Sequence, residues 1–222
     1  MYSKTTMKQR VLLKGADAVD LLHRISSADL KHLELNRKKS GLFLNPQGKV
    51  RSFFEFTALA SDQLEIEFQG PFLEILDQFT FSEQYEIEKL PASDESAGDE
   101  KVRILSLTPK SGHEFENDGE TNPLEVNLKS AIADQKGCYP GQEVIEKIVA
   151  IGSPARKLCL VEGEASGLSL PVALLNEKNE EAGKLTSFAD GAGLAIIKRT
   201  SLKEGVELHH GNFKFTLKKV SP

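Results

Sequence analysis

The stretch of this chain best suited to chemistry is Lys136-Gly137-Cys138-Tyr139-Pro140-Gly141-Gln142-Glu143. It sets one of only two cysteines in a Gly/Pro-punctuated bend between two helix-like segments. Two readings of Cys138 stand side by side. In the first, the free N–H groups of the following helix and the charge of Lys136 favour a thiolate. In the second, the cysteine is a small apolar filler under a tight turn, and the glycines are turn residues. Glu143 competes for the same helix dipole and weighs against the first reading. Tyr139 suits stacking on a flat ligand, or simple packing with its hydroxyl hydrogen-bonded. Gln142 and Glu143 match the amide and amino edge of a pterin, and Glu143 equally suits a helix cap.

Other chemistries find less support. A Cys–His hydrolase needs a partner base. His23, His32, His113, His209 and His210 lie in no nucleophile signature. His209-His210 precedes a glycine and reads as a turn, and adjacent histidines on a strand would face opposite ways. Two cysteines, Cys138 and Cys159, form no disulfide framework and cannot hold a four-thiolate cluster within one chain. There is no P-loop and no dinucleotide fingerprint.

The elements that must position the bend follow from periodicity. Val11 to Lys14 predicts a strand, and Gly15-Ala16-Asp17 opens a helix bearing Val19, Leu22 and Ile25. Ser40 to Leu59 predicts a hairpin turning at Asn45-Pro46-Gln47-Gly48. Leu64, Ile66 and Phe68 alternate with glutamates as in a half-buried strand. Pro71 starts a helix, and Tyr85 to Leu90 reads as another strand. An acidic, aperiodic loop is expected near 91–101, then a buried strand over Val102 to Leu107. Asn122-Pro123-Leu124-Glu125 predicts a capped helix with Leu124, Leu128 and Ile132 as its stripe, ended by Gly137. A second helix starts after Pro140. Beyond Gly152-Ser153-Pro154, short apolar runs predict a small antiparallel barrel.

With 222 residues, the chain is long enough for two modest domains, divided here as 1–153 and 154–222. Hydrophobic residues make up 39%, including 12 Phe, which supports ordinary globular cores. A net charge of -5 provides no global field for nucleic acid. The basic N-terminus lacks the apolar core of a secretory signal, and no run reaches membrane-spanning length. A reduced, cytoplasmic protein is the expectation.

At Lys136 to Glu143 the chain resembles the signature of the YgfZ-type folate-binding proteins, relatives of the glycine-cleavage T-protein (aminomethyltransferase). The likeness extends to Gly15, Asp17 and Leu21-Leu22, to the turn Asn45 to Lys49, to Asn122 through Leu128, and to Arg156-Lys157-Leu158 and Glu181 through Ser187. The resemblance implies an α+β fold: a T-protein-like folate-binding domain of antiparallel sheets and helices, then a small C-terminal β-barrel. It implies help in assembling or repairing iron–sulfur enzymes, an indirect effect on tRNA modification, and tetrahydrofolate or a derivative as cofactor. Partners would be a folate-type molecule and iron–sulfur client or assembly proteins, with no direct nucleic acid, no membrane and a monomeric chain. Cys138 and Lys136 would be the catalytic-type pair. Tyr139, Gln142, Glu143 and Arg103 would hold the cofactor.

The chain departs from the T-protein pattern in two places. The stretch 91–100 stands where relatives carry more of the middle subdomain, which supplies part of the folate cradle. An acidic pair after the hairpin turn is replaced by Ser52 and Phe53. Phe cannot move a proton and Ser is a poor substitute. A tetrahydrofolate-dependent aminomethyltransferase is therefore the alternative reading. An interaction module that has lost folate is a further one.

Overall fold

The computed structural model describes residues 8–93 and 99–222. The expected absence of a signal rests on residues 1–10, most of which lie outside the described residues, as does the centre of the acidic loop. The chain divides into two compact units. The first comprises the described part of Met1–Ser96 with Asn117–Glu120 and Lys129–Glu146. The second comprises the described part of Ala97–Glu116 with Thr121–Leu128 and Lys147–Pro222.

The first unit is a five-stranded antiparallel sheet with two helices. Its strands are β1 (Lys8–Lys14), β2 (Lys38–Leu44), β3 (Val50–Ala60), β4 (Gln63–Phe68) and β5 (Glu86–Ser93), in the spatial order β2-β3-β4-β1-β5. Helices α1 (Ala16–Ile25) and α2 (Phe72–Gln78) contribute to the same core. Strict alternation on β3 and β4 sends Phe54, Phe56, Leu64, Ile66 and Phe68 into that core. There the Phe72 ring meets Phe43, Phe54 and Phe68 at centroid distances of 5.2, 5.1 and 4.8 Å. These spacings fall within the favourable range for aromatic pairs. The alternate residues carry a ladder of ion pairs. Lys8 and Lys38 meet Glu55, Arg10 meets Glu65 and Glu67, and Lys38 also meets Glu67.

The hairpin turn forms as its residues dictate. The Asn45 side chain accepts from the Gln47 and Lys49 amides, each at 3.0 Å, and Gly48 adopts φ 68. This is an Asx-stabilised turn with glycine in the left-handed position.

The second unit contains a closed antiparallel barrel of β6 (Arg156–Gly163), β7 (Val172–Leu175), β8 (Glu181–Ala189), β9 (Ala192–Lys198), β10 (Glu207–His210) and β11 (Phe213–Val220). Its core holds Cys159, Val161, Leu174, Leu185, Ile197, Phe215 and Leu217. His209 and His210 lie on a strand rather than in the turn expected for them: they pair with Lys214 and Phe213, and the turn follows. The two rings reach the Asn176 and Ala173 carbonyls at 3.1 and 2.9 Å.

Two further expectations are corrected. Residues 102–107 do not form a strand. Helix α3 (Glu100–Leu105) occupies this segment, capped by Asp99, whose side chain accepts from the Lys101 amide. Val102 and Leu105 are exposed while Ile104 and Leu107 are buried, a spacing of three rather than two. The helix expected from Asn122 breaks into two 3-10 turns, Pro123–Glu125 and Lys129–Ala131. The cap is real, since Asn122 accepts from the Leu124 amide. The helix stops because Asn127 takes φ 61 and its side chain donates to the Leu107 carbonyl.

Candidate functional site

The segment from Ile132 to Gly141 has no regular structure and leads into helix α4 (Gln142–Ile151). It forms a strap whose two ends are fastened. At the N-terminal end, the Ser27 hydroxyl donates to the Ala131 carbonyl at 2.6 Å, and the Ala133 amide donates to the Ser27 carbonyl at 2.9 Å. At the other end, Gly141 (φ 83) is pressed onto the hairpin turn: a Cβ there would lie 2.5 Å from the Asn45 oxygen and 3.1 Å from the Gly48 Cα. Gly48 in turn faces Val144. Two motifs nearly a hundred positions apart are thus mutual packing partners, and glycine is required because backbone meets backbone.

Cys138 is exposed on this strap. Cys159 is buried in the barrel core, and burial pushes its thiol up to about 12. Lys136 turns inward. Its ammonium donates to the His23 carbonyl and, at 2.7 Å, to the Ser26 carbonyl at the end of α1. It also sits 5.0 Å from the centroid of the Tyr139 ring. Desolvation lowers the Lys136 pKa to about 8 against a smaller opposing influence from Asp29. Tyr139 is half-buried, and burial, with Glu146 and Asp134 nearby, raises its hydroxyl to about 12.

Gln142 is engaged locally. Its carboxamide oxygen accepts from the Tyr139 amide at 3.3 Å and its nitrogen donates to Glu146 at 2.5 Å. Glu143 is exposed in the first turn of α4. Beneath the strap, His23 is buried and its Nδ1 accepts the Leu30 amide at 3.1 Å. That bond and a pKa lowered by burial and by Lys136 make the ring neutral, so its 3.6 Å approach to Asp29 is not an ion pair.

Arg103 belongs to the second unit. All five of its N–H groups are engaged. Nε and Nη2 hold Glu100, Nη1 holds Glu114 and the Thr108 carbonyl, and Nη2 also reaches Ser187. Glu114 is buried and also accepts from Thr186, Ser187 and the Lys110 amide. This is a fully satisfied buried network, which the sequence did not announce. Its parts are scattered between positions 100 and 187.

Ser52 is fully buried on β3 opposite Phe43, and among the described residues its hydroxyl has no partner. The Phe53 amide donates to the Asn117 side chain at 3.0 Å. No carboxylate stands at either position. Among the described residues no group of three or more His, Cys, Asp or Glu side chains is placed to hold a metal ion. Among them, too, no helix is long and apolar enough to cross a membrane.

Comparison with known proteins places the barrel first. Residues 156–221 match the C-terminal β-barrel domain of CAF17. A chloroplastic protein of Arabidopsis thaliana that carries the name of a transferase is 32% identical over 112 residues, 48% of this chain and 25% of that protein. The chain thus spans about a quarter of the length of that relative. The crystal structure of the glycine cleavage system aminomethyltransferase T from Bartonella henselae superposes with a TM-score of 0.77 at 12% identity. The match covers 96% of this chain and 83% of the other. The chain therefore has the fold of that aminomethyltransferase T structure, and residues 156–221 form a CAF17-type C-terminal barrel.

Proposed function

We propose that this chain is a folate-binding protein of the YgfZ/CAF17 type that presents Cys138 in the assembly or repair of iron–sulfur enzymes. Its influence on tRNA modification would be indirect, through those enzymes. The observation that carries this reading is the exposed thiol on a strap fastened at both ends. A filler cysteine would be buried, as Cys159 is. An exposed thiol held by an ordered backbone is suited to meet a partner or its cluster. The setting would be a reduced cytoplasm, with the chain acting as a monomer toward iron–sulfur client or assembly proteins.

A tetrahydrofolate-type cofactor is the small molecule we assign to it. Glu143 has the exposed carboxylate that a pterin amino and amide edge requires, and the Tyr139 ring lies four residues before it. Gln142 would have to exchange its existing bonds to join such a site. When bound, the folate would supply a one-carbon or redox-active pterin, while the chain would contribute orientation.

Isothermal titration with tetrahydrofolate, together with complementation of a strain lacking its own YgfZ-type protein, tests the reading. Binding tighter than about 1 mM, roughly −4 kcal/mol, with loss of complementation in Cys138→Ala, is expected. Weaker binding with full complementation by Cys138→Ala would leave the interaction module. That rival is favoured by one observation, the complete engagement of Arg103. The aminomethyltransferase alternative lacks a carboxylate at 52 and 53, and a glycine-cleavage assay should give no turnover.

A further inference from the structure

We infer that Lys136 is a positioning residue: it holds Cys138 outward by clamping the strap onto the C-terminal end of α1, rather than by acting on the charge of the thiol. This rests on the reading of Cys138 as the presented group, and it adds how that group is held.

Helix α1 ends at Ile25. A helix leaves its last carbonyls without intrahelical donors. At this end the Ser26 amide and hydroxyl both return to the Leu22 carbonyl. The next amide, Ser27, would serve the His23 carbonyl if the helix continued. It donates instead to the Leu42 carbonyl on β2 at 2.9 Å. That leaves the His23 carbonyl for another donor, and the Ser26 carbonyl is left likewise because the Leu30 amide donates to the His23 ring. Lys136 brings a cation to both, at the negative end of the helix dipole.

The backbone of the strap is shaped for this. Gln135 and Gly137, on either side of Lys136, both take left-handed conformations, at φ 57 and φ 95. For Gln135, which carries a side chain, that conformation is strained, so something must hold it. The Tyr139 ring lies over the ammonium, 5.0 Å from it to the centroid. Between the anchors at Ala133 and Gly141, among the described residues, it is Lys136 that ties the strap to α1. Lys136 faces inward and Cys138, two residues on, faces solvent. The charged groups around the ammonium are Asp29 and Lys31 from the loop after α1, with Cys138 the weakest of the three influences.

Hydrogen exchange of the amides of 134–139, and the pH profile of Cys138 alkylation by iodoacetamide, test this in the full chain. The variants are Lys136→Met, Lys136→Gln and Lys136→Arg. Loss of the clamp in Met and Gln is expected to speed exchange in the strap by at least about tenfold, with the sheet unchanged and the alkylation midpoint unmoved. Arg, which also donates to carbonyls, should keep at least part of the protection. Unchanged exchange in Met and Gln overturns the proposal. So does a raised alkylation midpoint with exchange intact, which is the signature of charge tuning. A variant that loses protection in β1 to β5 as well counts against it, because the clamp predicts a local effect. The exchange readout does not depend on Cys138 having a function. If Cys138→Ala complements fully while Met and Gln still loosen the strap, the functional reading fails and the clamp stands.

Discussion

Gly141 lies against the backbone of Gly48: a Cβ built on Gly141 would fall 3.1 Å from the Gly48 Cα and 2.5 Å from the Asn45 oxygen. Gly137, four residues earlier, has a comparable left-handed backbone at φ 95 but open space around it. The two glycines separate strain from collision. Gly137→Ala is expected to cost about 1 kcal/mol from backbone conformation alone. Gly141→Ala must also move the hairpin turn, and should cost at least about 2 kcal/mol. Urea unfolding of the two variants measures this. Equal losses would mean that the contact between strap and hairpin contributes nothing.

The two thiols should be distinguishable without mutation. Cys138 is exposed, and Cys159 is buried with its thiol pushed up to about 12. Ellman titration of the native protein is expected to count one fast thiol, and a second only after guanidinium is added. Two fast thiols in the native state would contradict the closed barrel core.

Alkaline pH should reveal Cys159 a second way. Its folded pKa lies above the ordinary value of 9.0, so the unfolded chain releases its proton first. The folded state then binds more protons, and stability falls as pH rises from about 9 towards 12. Lys136 acts oppositely, because its folded pKa of about 8 lies below 10.5 and its contribution rises with pH between those values. Subtracting Cys159→Ala from the parent protein cancels the lysine. The difference in Tm between the two should shrink from pH 8.5 to 10 in the direction that disfavours the parent. A constant difference would show that the buried thiol is not held protonated.

The Arg103–Glu114 pair joins a largely buried guanidinium to a fully buried carboxylate, with side-chain exposures of 14% and 0%. Glu114→Ala leaves the largely buried guanidinium with Glu100 alone as its carboxylate, and Arg103→Ala leaves the buried Glu114 without its cation. Each should cost about 3–5 kcal/mol, whereas replacing both with apolar residues of similar volume should cost less than the sum. A double-mutant cycle by chemical denaturation checks this, and additive losses would deny the coupling.

Much of this architecture was legible in local pattern. Alternation in Leu64-Glu65-Ile66-Glu67-Phe68 marked β4, and Asn45 to Gly48 marked the turn, because both depend on neighbours within four positions. The segment 102–107 misled because Val102, Ile104 and Leu107 permit either period over so short a run. What decides is the Asp99 cap and the Glu100–Arg103 pair. The Asn122 cap was readable, but the Asn127 side chain that ends the turn bonds to Leu107, twenty positions back. No local pattern contains that partner.

The sequence by itself determined that Cys138 stands in a bend before a helix, and that glycines flank it. Those are properties of residue type and spacing. Only the tertiary structure decided where the charge of Lys136 goes. The reason is a carbonyl at His23, 113 positions away, which loses its helical donor when Ser27 turns to pair with β2. An unsatisfied acceptor created by one long-range pairing is met by a donor brought through another. Neither can be read from the run of eight residues that first drew attention to the cysteine.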